Sequence, residues 1–268
     1  MIPKVSLELE KQFYGHRWAS AASELSPEEK ERLALTVSSI PQDARSILDL
    51  GCGDGRLSNL LRSVREGFLA SLDLSLPALR RLTTPGCCGS AERLPFRDHA
   101  FDLILAAEMM EHLPEAIYAS ALQEMARVAG KYILITVPNR ENLEENTAVC
   151  PDCGVRFHVW GHQRAYAPRD LTNLFRGFRR VRHQAFGAPT DSYNRCLLWI
   201  RTRWAGACCW EDQTVCYACG CAGPPQPRSP FLTRACDYLN HRCWKPLFPR
   251  KSWLLALFER EYASDRAD

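Results

Sequence analysis

Apolar runs and helical periods alternate along the first half of the chain. Residues 45–50, RSILDL, read as a buried strand that leads straight into GCGDG and then RLSNLLRSV, whose apolar positions recur at helical spacing. FLASLDLS (68–75) is a second strand, followed by the helical pattern LPALRRL. FDLILAAE (101–108) is a third, residues 115–129 a helix, and KYILITVPN (131–139) a fourth strand. Upstream, residues 22–39 read as a charged helix opened by Ser26-Pro27-Glu28-Glu29: a capping serine, a proline in the first turn, then acids. This rhythm predicts an α/β fold, a doubly wound parallel sheet with helices on both faces. RRVRHQAF (179–186) and SWLLALFERE (252–261) add two strand-like segments. Between them, roughly 190–250 is rich in Cys, Trp and Pro and has no clear period. A stretch that long inside a domain is functional or separately stabilised.

Composition changes this picture little. The 268 residues are 46% hydrophobic and 24% charged, a globular balance that excludes disordered and collagen-like chains. The length suits one large domain with insertions, or one domain plus an appendage. No apolar run reaches the roughly 18 residues of a membrane helix, and MIPKVSLELEKQF lacks the apolar core of a secretory signal. The expectation is a soluble, cytoplasmic protein.

Charge is uneven. Residues 1–159 hold 17 Lys+Arg against 22 Asp+Glu, and residues 160–268 hold 17 against 9. Arg164, Arg169, Arg176, Arg179, Arg180 and Arg182 cluster on the basic side, either as a solvated surface or as an anion-binding face. Phosphorylated metabolites, sugar nucleotides and RNA would all suit the second.

The first strand runs into Asp49-Leu50-Gly51-Cys52-Gly53-Asp54-Gly55. Glycines there let backbone turn sharply and approach a ligand closely. The spacing is G-x-G-x-G, not the G-x-G-x-x-G of dinucleotide folds. The acid two residues before the first glycine suits a cationic ligand with an amino-acid portion better than a phosphate. Asp73 ends the second strand 18 residues after Gly55, where a carboxylate can accept from both ribose hydroxyls. Ser90-Ala91-Glu92-Arg93-Leu94-Pro95-Phe96 then leads into Phe101-Asp102. On these residues the chain resembles the class I S-adenosylmethionine-dependent methyltransferases over about residues 45–186, with a last strand near 252–261. The resemblance implies a Rossmann-like seven-stranded sheet and S-adenosylmethionine as cofactor, held by Asp49, Gly51, Gly53 and Asp73. Ser90 stands where many relatives have an aspartate near adenine, so that contact passes to the Ala91 backbone or to Glu92.

After the third strand comes Ala107-Glu108-Met109-Met110-Glu111-His112-Leu113-Pro114. In a helix, Glu108, Glu111 and His112 would lie on one side, and two carboxylates with an imidazole can hold a divalent cation. The segment resembles that of ubiquinone-pathway O-methyltransferases and of small-RNA 2′-O-methyltransferases. There E-x-x-E-H and a later histidine bind a metal that engages the acceptor hydroxyl. In Phe157-His158-Val159-Trp160-Gly161-His162-Gln163 the best match for that histidine is His162, with His158 next. Glu108, Glu111, His112 and His162 thus form a candidate magnesium or manganese site. Metal-independent relatives carry a similar Glu-His-Leu-Pro. In that reading His112 or His162, beside Glu111, serves as a base without metal, or the segment only packs.

Of 13 cysteines, ten fall between residues 150 and 243. Cys150-Pro-Asp-Cys153-Gly and Cys216-Tyr-Ala-Cys219-Gly share the form C-x-x-C-G, and two such pairs make a closed Cys₄ zinc site. His158 or Cys221 could replace one ligand, and unconnected thiols or a redox pair are the alternatives. Cys208, Cys209, Cys236 and Cys243 read as core thiols. Six of seven tryptophans lie at or after Trp160, filling an insertion core or lining an apolar pocket.

The expected organisation is a cofactor-covering segment (1–44, with Tyr14, Arg17 and Trp18) and a core (45–189 and 251–268). A Cys/Trp-rich insertion (190–250) is stapled by zinc to the 150–164 loop. C-x-x-C-G with FHxxGH resembles bacterial methyltransferases of sugar and secondary-metabolite pathways. That resemblance implies O-methylation of a small-molecule or glycan-like acceptor, and the basic second half suits an anionic one. RNA ribose 2′-O-methylation and a non-catalytic cofactor-binding partner subunit are the alternatives.

Overall fold

The strands β1 (Ser46–Leu50), β2 (Phe68–Asp73), β3 (Gly86–Cys88), β4 (Phe101–Ala107) and β5 (Ala129–Pro138) run parallel, in the spatial order β3-β2-β1-β4-β5. The computed structural model describes residues 25–190, 193–210, 214–216, 218–223, 227–244 and 250–261. Two further strands complete a seven-stranded sheet. β9 (Arg250–Arg260) lies antiparallel between β5 and β8 (Phe178–Thr190), which forms the edge. A separate small hairpin pairs β6 (Thr147–Val149) with β7 (Arg156–His158).

Successive strand residues point to opposite faces, so the same strands feed two cores. Leu48, Leu72, Ile104, Ile133 and Phe258 pack with Ala121 and Met125 of α4 (Glu115–Val128). Ile47, Leu69, Leu103, Leu134 and Leu257 pack with Leu33 of α1 (Pro27–Ser38) and with Leu57 and Leu61 of α2 (Arg56–Val64). The capping expectation at α1 is met: Glu29 N–H donates to Ser26 Oγ at 3.1 Å, and Ser26 N–H donates to Glu29 Oε2 at 2.8 Å. The helical pattern after β2 condenses to α3 (Leu76–Leu79).

The insertion is more ordered than its lack of period suggests. It holds α5 (Arg195–Trp199), continued by a π-helical turn to Trp204, and α6 (Pro230–Leu239), continued likewise to Trp244. Ser229-Pro230 opens α6 by the same device as Ser26-Pro27: the Ser229 hydroxyl accepts from Leu232 N–H. Among the described residues no helix is long and apolar enough to cross a membrane. Tyr14, Arg17 and Trp18 lie outside the described residues.

Candidate active site

The chain turns through the glycine loop between β1 and α2. Gly51 has φ 73° and donates its N–H to the Leu72 carbonyl at 2.7 Å. A Cβ there would stand 2.3 Å from Met109 Cγ, so both conformation and space require glycine. At the end of β2, one Asp73 oxygen accepts from Gly53 N–H at 2.8 Å and the other from Ser75 N–H at 2.7 Å. Each oxygen keeps a lone pair for a further donor. Burial raises the Asp73 pKa, and these amide bonds oppose the rise.

Gly51, Asp73, Ser90, Ala91, Met109 and His112 are among the residues lining a cleft of about 700 Å³, its open mouth included. It sits beyond the carboxyl ends of β1, β2 and β4, where open α/β sheets bind ligands. The other candidate cofactor residues, Asp49, Gly53 and Glu92, are not among those lining the cleft. Asp49 is 2% exposed and accepts from the Ser58 hydroxyl. Burial lifts its pKa to about 6, the Ser58 bond lowers it, and the Asp73 charge raises it further. Gly53 donates its N–H to Asp73, which does line the cleft. Glu92 lies beside Ser90, whose hydroxyl is 3.5 Å from Glu92 Oε1.

The E-x-x-E-H segment is not a continuous helix, which corrects the premise that Glu108, Glu111 and His112 share a helix face. Glu108 follows β4 with φ 53°, a left-handed conformation uncommon outside glycine. Only Met110–His112 forms a 3₁₀ turn. Glu108 Oε2 accepts from Trp253 Nε1 at 2.9 Å. Glu111 and His112 instead converge with His162, one potential ligand atom from each lying within 4.8 Å of the others. Gln163 N–H, next to His162, donates to the Glu111 carbonyl at 2.7 Å. The imidazole centroids of His112 and His162 are 4.7 Å apart.

A second cluster shares His162. Glu141 lies 3.2 Å from His158 Nε2 through one oxygen and 2.5 Å from His162 Nδ1 through the other. His158, the second candidate for the late ligand, belongs to this cluster. The sequence reading missed Glu141. Its signal was position alone, three residues beyond the end of β5 on the ligand-binding edge of the sheet. Trp253 on β9 and Arg32 on α1, whose charge acts on Glu108 and Glu111, were missed too.

The carboxylates differ sharply. Burial raises Glu111 well above its ordinary value, and Glu108 raises it further. Neither Glu111 side-chain oxygen has a hydrogen-bond partner among the described residues. Burial also raises Glu108, against the charges of Arg32 and His162. At Glu141 burial is outweighed by its hydrogen bonds to the two histidines, which hold it well below the carboxylate range. Buried, unpartnered oxygens beside two imidazoles fit either a proton or a divalent cation.

The four knuckle cysteines meet as their spacing predicts. Cys150 Sγ lies 3.4 Å from Cys219 Sγ and Cys153 Sγ 3.7 Å from Cys216 Sγ, with all four within 4.8 Å. A tetrahedral ion with bonds of about 2.3 Å sets its sulfurs about 3.8 Å apart, so the cradle fits zinc. The two turns are near copies. Gly154 and Gly220, at φ 71° and 76°, donate to the carbonyls of Cys150 and Cys216. Burial opposes the Cys150 thiolate, but amides of Cys153 and Asp152 and the neighbouring thiols bring its pKa to about 6.

Residues 48–132 match the family model described as a methyltransferase domain. An uncharacterised protein of Methanocaldococcus jannaschii is 36% identical over 102 residues, 36% of this chain and 42% of that protein. The ubiquinone biosynthesis O-methyltransferase of Thiobacillus denitrificans is 29% identical over 140 residues, 47% of this chain and 59% of that protein. The chain thus spans about half the length of these curated relatives. Among solved structures, a chain from the complex of the Haloferax volcanii Trm112 methyltransferase activator superposes with a TM-score of 0.58 at 15% identity, covering 96% of this chain and 98% of its own. The [4+2]-cyclase SpnF gives 0.59 at 16%, covering 98% and 99%. The second likeness shows that this architecture also serves a different named chemistry, so function rests on the site.

Proposed function

We propose that this chain, which belongs to the class I S-adenosylmethionine-dependent methyltransferases, is an O-methyltransferase of a small-molecule or glycan-like acceptor, working in the cytoplasm. The observation that carries the reading is the convergence of Glu111, His112 and His162 at a cleft whose wall holds both His112 and Asp73.

When bound, S-adenosylmethionine supplies a methyl group already activated by its sulfonium. The protein's task is therefore alignment and proton removal. Asp73 would accept from the ribose hydroxyls, Gly51 would give the backbone close approach, and Ala91 would form the adenine-side wall. His112 and His162 would take up the acceptor proton, with Glu141 fixing the His162 ring through Nδ1. Glu111, His112 and His162 could also hold a magnesium or manganese ion, which would lower the acceptor hydroxyl's pKa. Glu108, tied to Trp253, would stand at the edge of that site. A zinc ion on Cys150, Cys153, Cys216 and Cys219 would be structural, pinning the insertion to the loop after β5.

The Arg-rich second half supports RNA ribose methylation as the second reading. Purified protein offered labelled S-adenosylmethionine with phenols, sugar nucleotides and short RNAs decides between them. Label transfer to a small hydroxyl compound is the expected result. Transfer to RNA alone selects the second reading. Cofactor binding without turnover on any pool selects a non-catalytic subunit.

A further inference from the structure

The insertion exposes two helical stripes in which rings alternate with guanidinium groups. Along α5 and its continuation, Arg195, Trp199 and Arg203 recur every four residues, with Trp204 adjacent. Along α6 and its continuation, Phe231, Arg234, Tyr238 and Arg242 recur every three or four, with Leu239 adjacent. Phe231 is 84% exposed, Tyr238 66%, Trp204 65% and Trp199 52%. These four and Leu239 make up five of the nine large hydrophobic side chains exposed among the described residues, so the apolar exposure is concentrated rather than scattered.

The stripes do not hold the helices together. Arg201 Nε and Tyr193 OH each donate to Asp237 Oδ1 at 2.8 Å, and Asn194 N–H donates to Asn240 Oδ1 at 2.7 Å. Asp237 is the single acid among the described residues of 193–244, which hold six arginines, and Arg201 already neutralises it. Among the described residues the exposed side chains of the two stripes are therefore apolar or cationic.

We infer that this helix pair is a docking surface for an anionic lipid bilayer, lying in the headgroup region without spanning it. Trp, Tyr, Phe and Leu would enter the acyl boundary while the arginines reach lipid phosphates, the pattern of interfacial helices. Charge argues against a second copy as the occupant, because two such faces would bring arginines together with no free acid between them among the described residues. Single-stranded RNA would also meet rings and arginines and is therefore an arm of the test, while the exposed Leu239 adds apolar surface that suits an acyl boundary and gives a base nothing to stack on. The inference is independent of the methyl-transfer reading.

The test uses the full chain and sedimentation with vesicles, phosphatidylcholine alone or doped with phosphatidylglycerol, with tryptophan emission as second readout. The protein should pellet with the anionic vesicles, shift its emission to the blue, and release as salt rises. It should ignore the neutral vesicles. Arg234→Gln and Arg242→Gln should each weaken binding on the order of fivefold. Phe231→Ser with Tyr238→Ser should weaken it on the order of tenfold or more, and thermal unfolding should stay unchanged because both rings are exposed. Absence of anionic-vesicle binding overturns the inference, as does equal binding by wild type and variants. So does retention of single-stranded RNA without vesicle binding, or a dimer in sedimentation velocity that the Phe231→Ser variant dissociates.

Discussion

The backbone N–H of Gln163 donates to the carbonyl of Glu111 across 2.7 Å. With Arg164 donating to the Leu113 carbonyl and Tyr166 OH to the Met110 carbonyl, this bond joins the loop carrying His158 and His162 to the 3₁₀ turn carrying Glu111 and His112. It works through main-chain atoms, so the side chains on either side stay available for chemistry.

Glu111→Ala should cut turnover by at least on the order of a hundredfold, the usual scale for losing a group that moves a proton or holds a metal in the site. Cofactor affinity should stay within about twofold, since Glu111 is not among the residues lining the cleft. Titration calorimetry beside steady-state kinetics separates the two. A mild chelator should likewise arrest wild-type turnover while leaving in place any zinc held by the four cysteines, and manganese should restore it. Full activity in the chelated protein would leave His112 or His162 as a base without metal.

Asp73→Ala should weaken S-adenosylmethionine binding by about 2–4 kcal/mol, because a charged acceptor of two ribose hydrogen bonds is lost. Some of that loss will reflect the freed amides of Gly53 and Ser75. Asp73→Asn, which keeps acceptor capacity on one side, should fall between. Unchanged affinity in the alanine variant would remove Asp73 from the cofactor site.

Elemental analysis of purified protein should find about one zinc per chain. Cys216→Ser should lose it and unfold at lower temperature, since a sparse segment depends on its metal. A variant with full zinc and full thermal stability would show that the two knuckles do not share an ion.

Asp49 gives stability a specific pH dependence. Its folded pKa, about 6, lies above the ordinary aspartate value of 3.8. Any stability from its protonated form is complete below pH 4 and is lost as pH rises through 6. Asp49→Asn should therefore stabilise the cofactor-free protein at pH 8 by up to about 3 kcal/mol and change it little at pH 4. Thermal unfolding across that range checks the sign. A gain that grows towards acid would contradict the assignment.

Much of the sheet was legible because parallel strands buried on both faces read as near-continuous apolar runs, as in Ile47–Leu50 and Leu103–Ala106. The knuckles were legible because C-x-x-C-G encodes its own geometry. β3 was missed because three residues, Gly86–Cys88, carry no period. Glu108 misled because a left-handed residue breaks the helical spacing on which the E-x-x-E-H argument relied, and sequence does not announce such a residue unless it is glycine. Glu141 had no motif around it; only the folded loop sets it against two histidines. α6 did have a signal, Ser229-Pro230, but the Cys and Pro nearby obscured it.

The place of β9 in the sheet bears on the order of events during synthesis. β8 leaves the ribosome first, yet among the described residues its one neighbour in the sheet is β9, which begins 60 residues after β8 ends. β5, made earlier still, also waits for β9 on that side. Until residue 260 emerges, two strands therefore present unpaired edges, the condition in which nascent chains associate wrongly. The interval is filled by the insertion, whose Cys216 and Cys219 become available to Cys150 and Cys153 before β9 exists. Metal capture at that stage would draw the intervening chain into a closed loop and shorten the search β9 must make to enter between its partners.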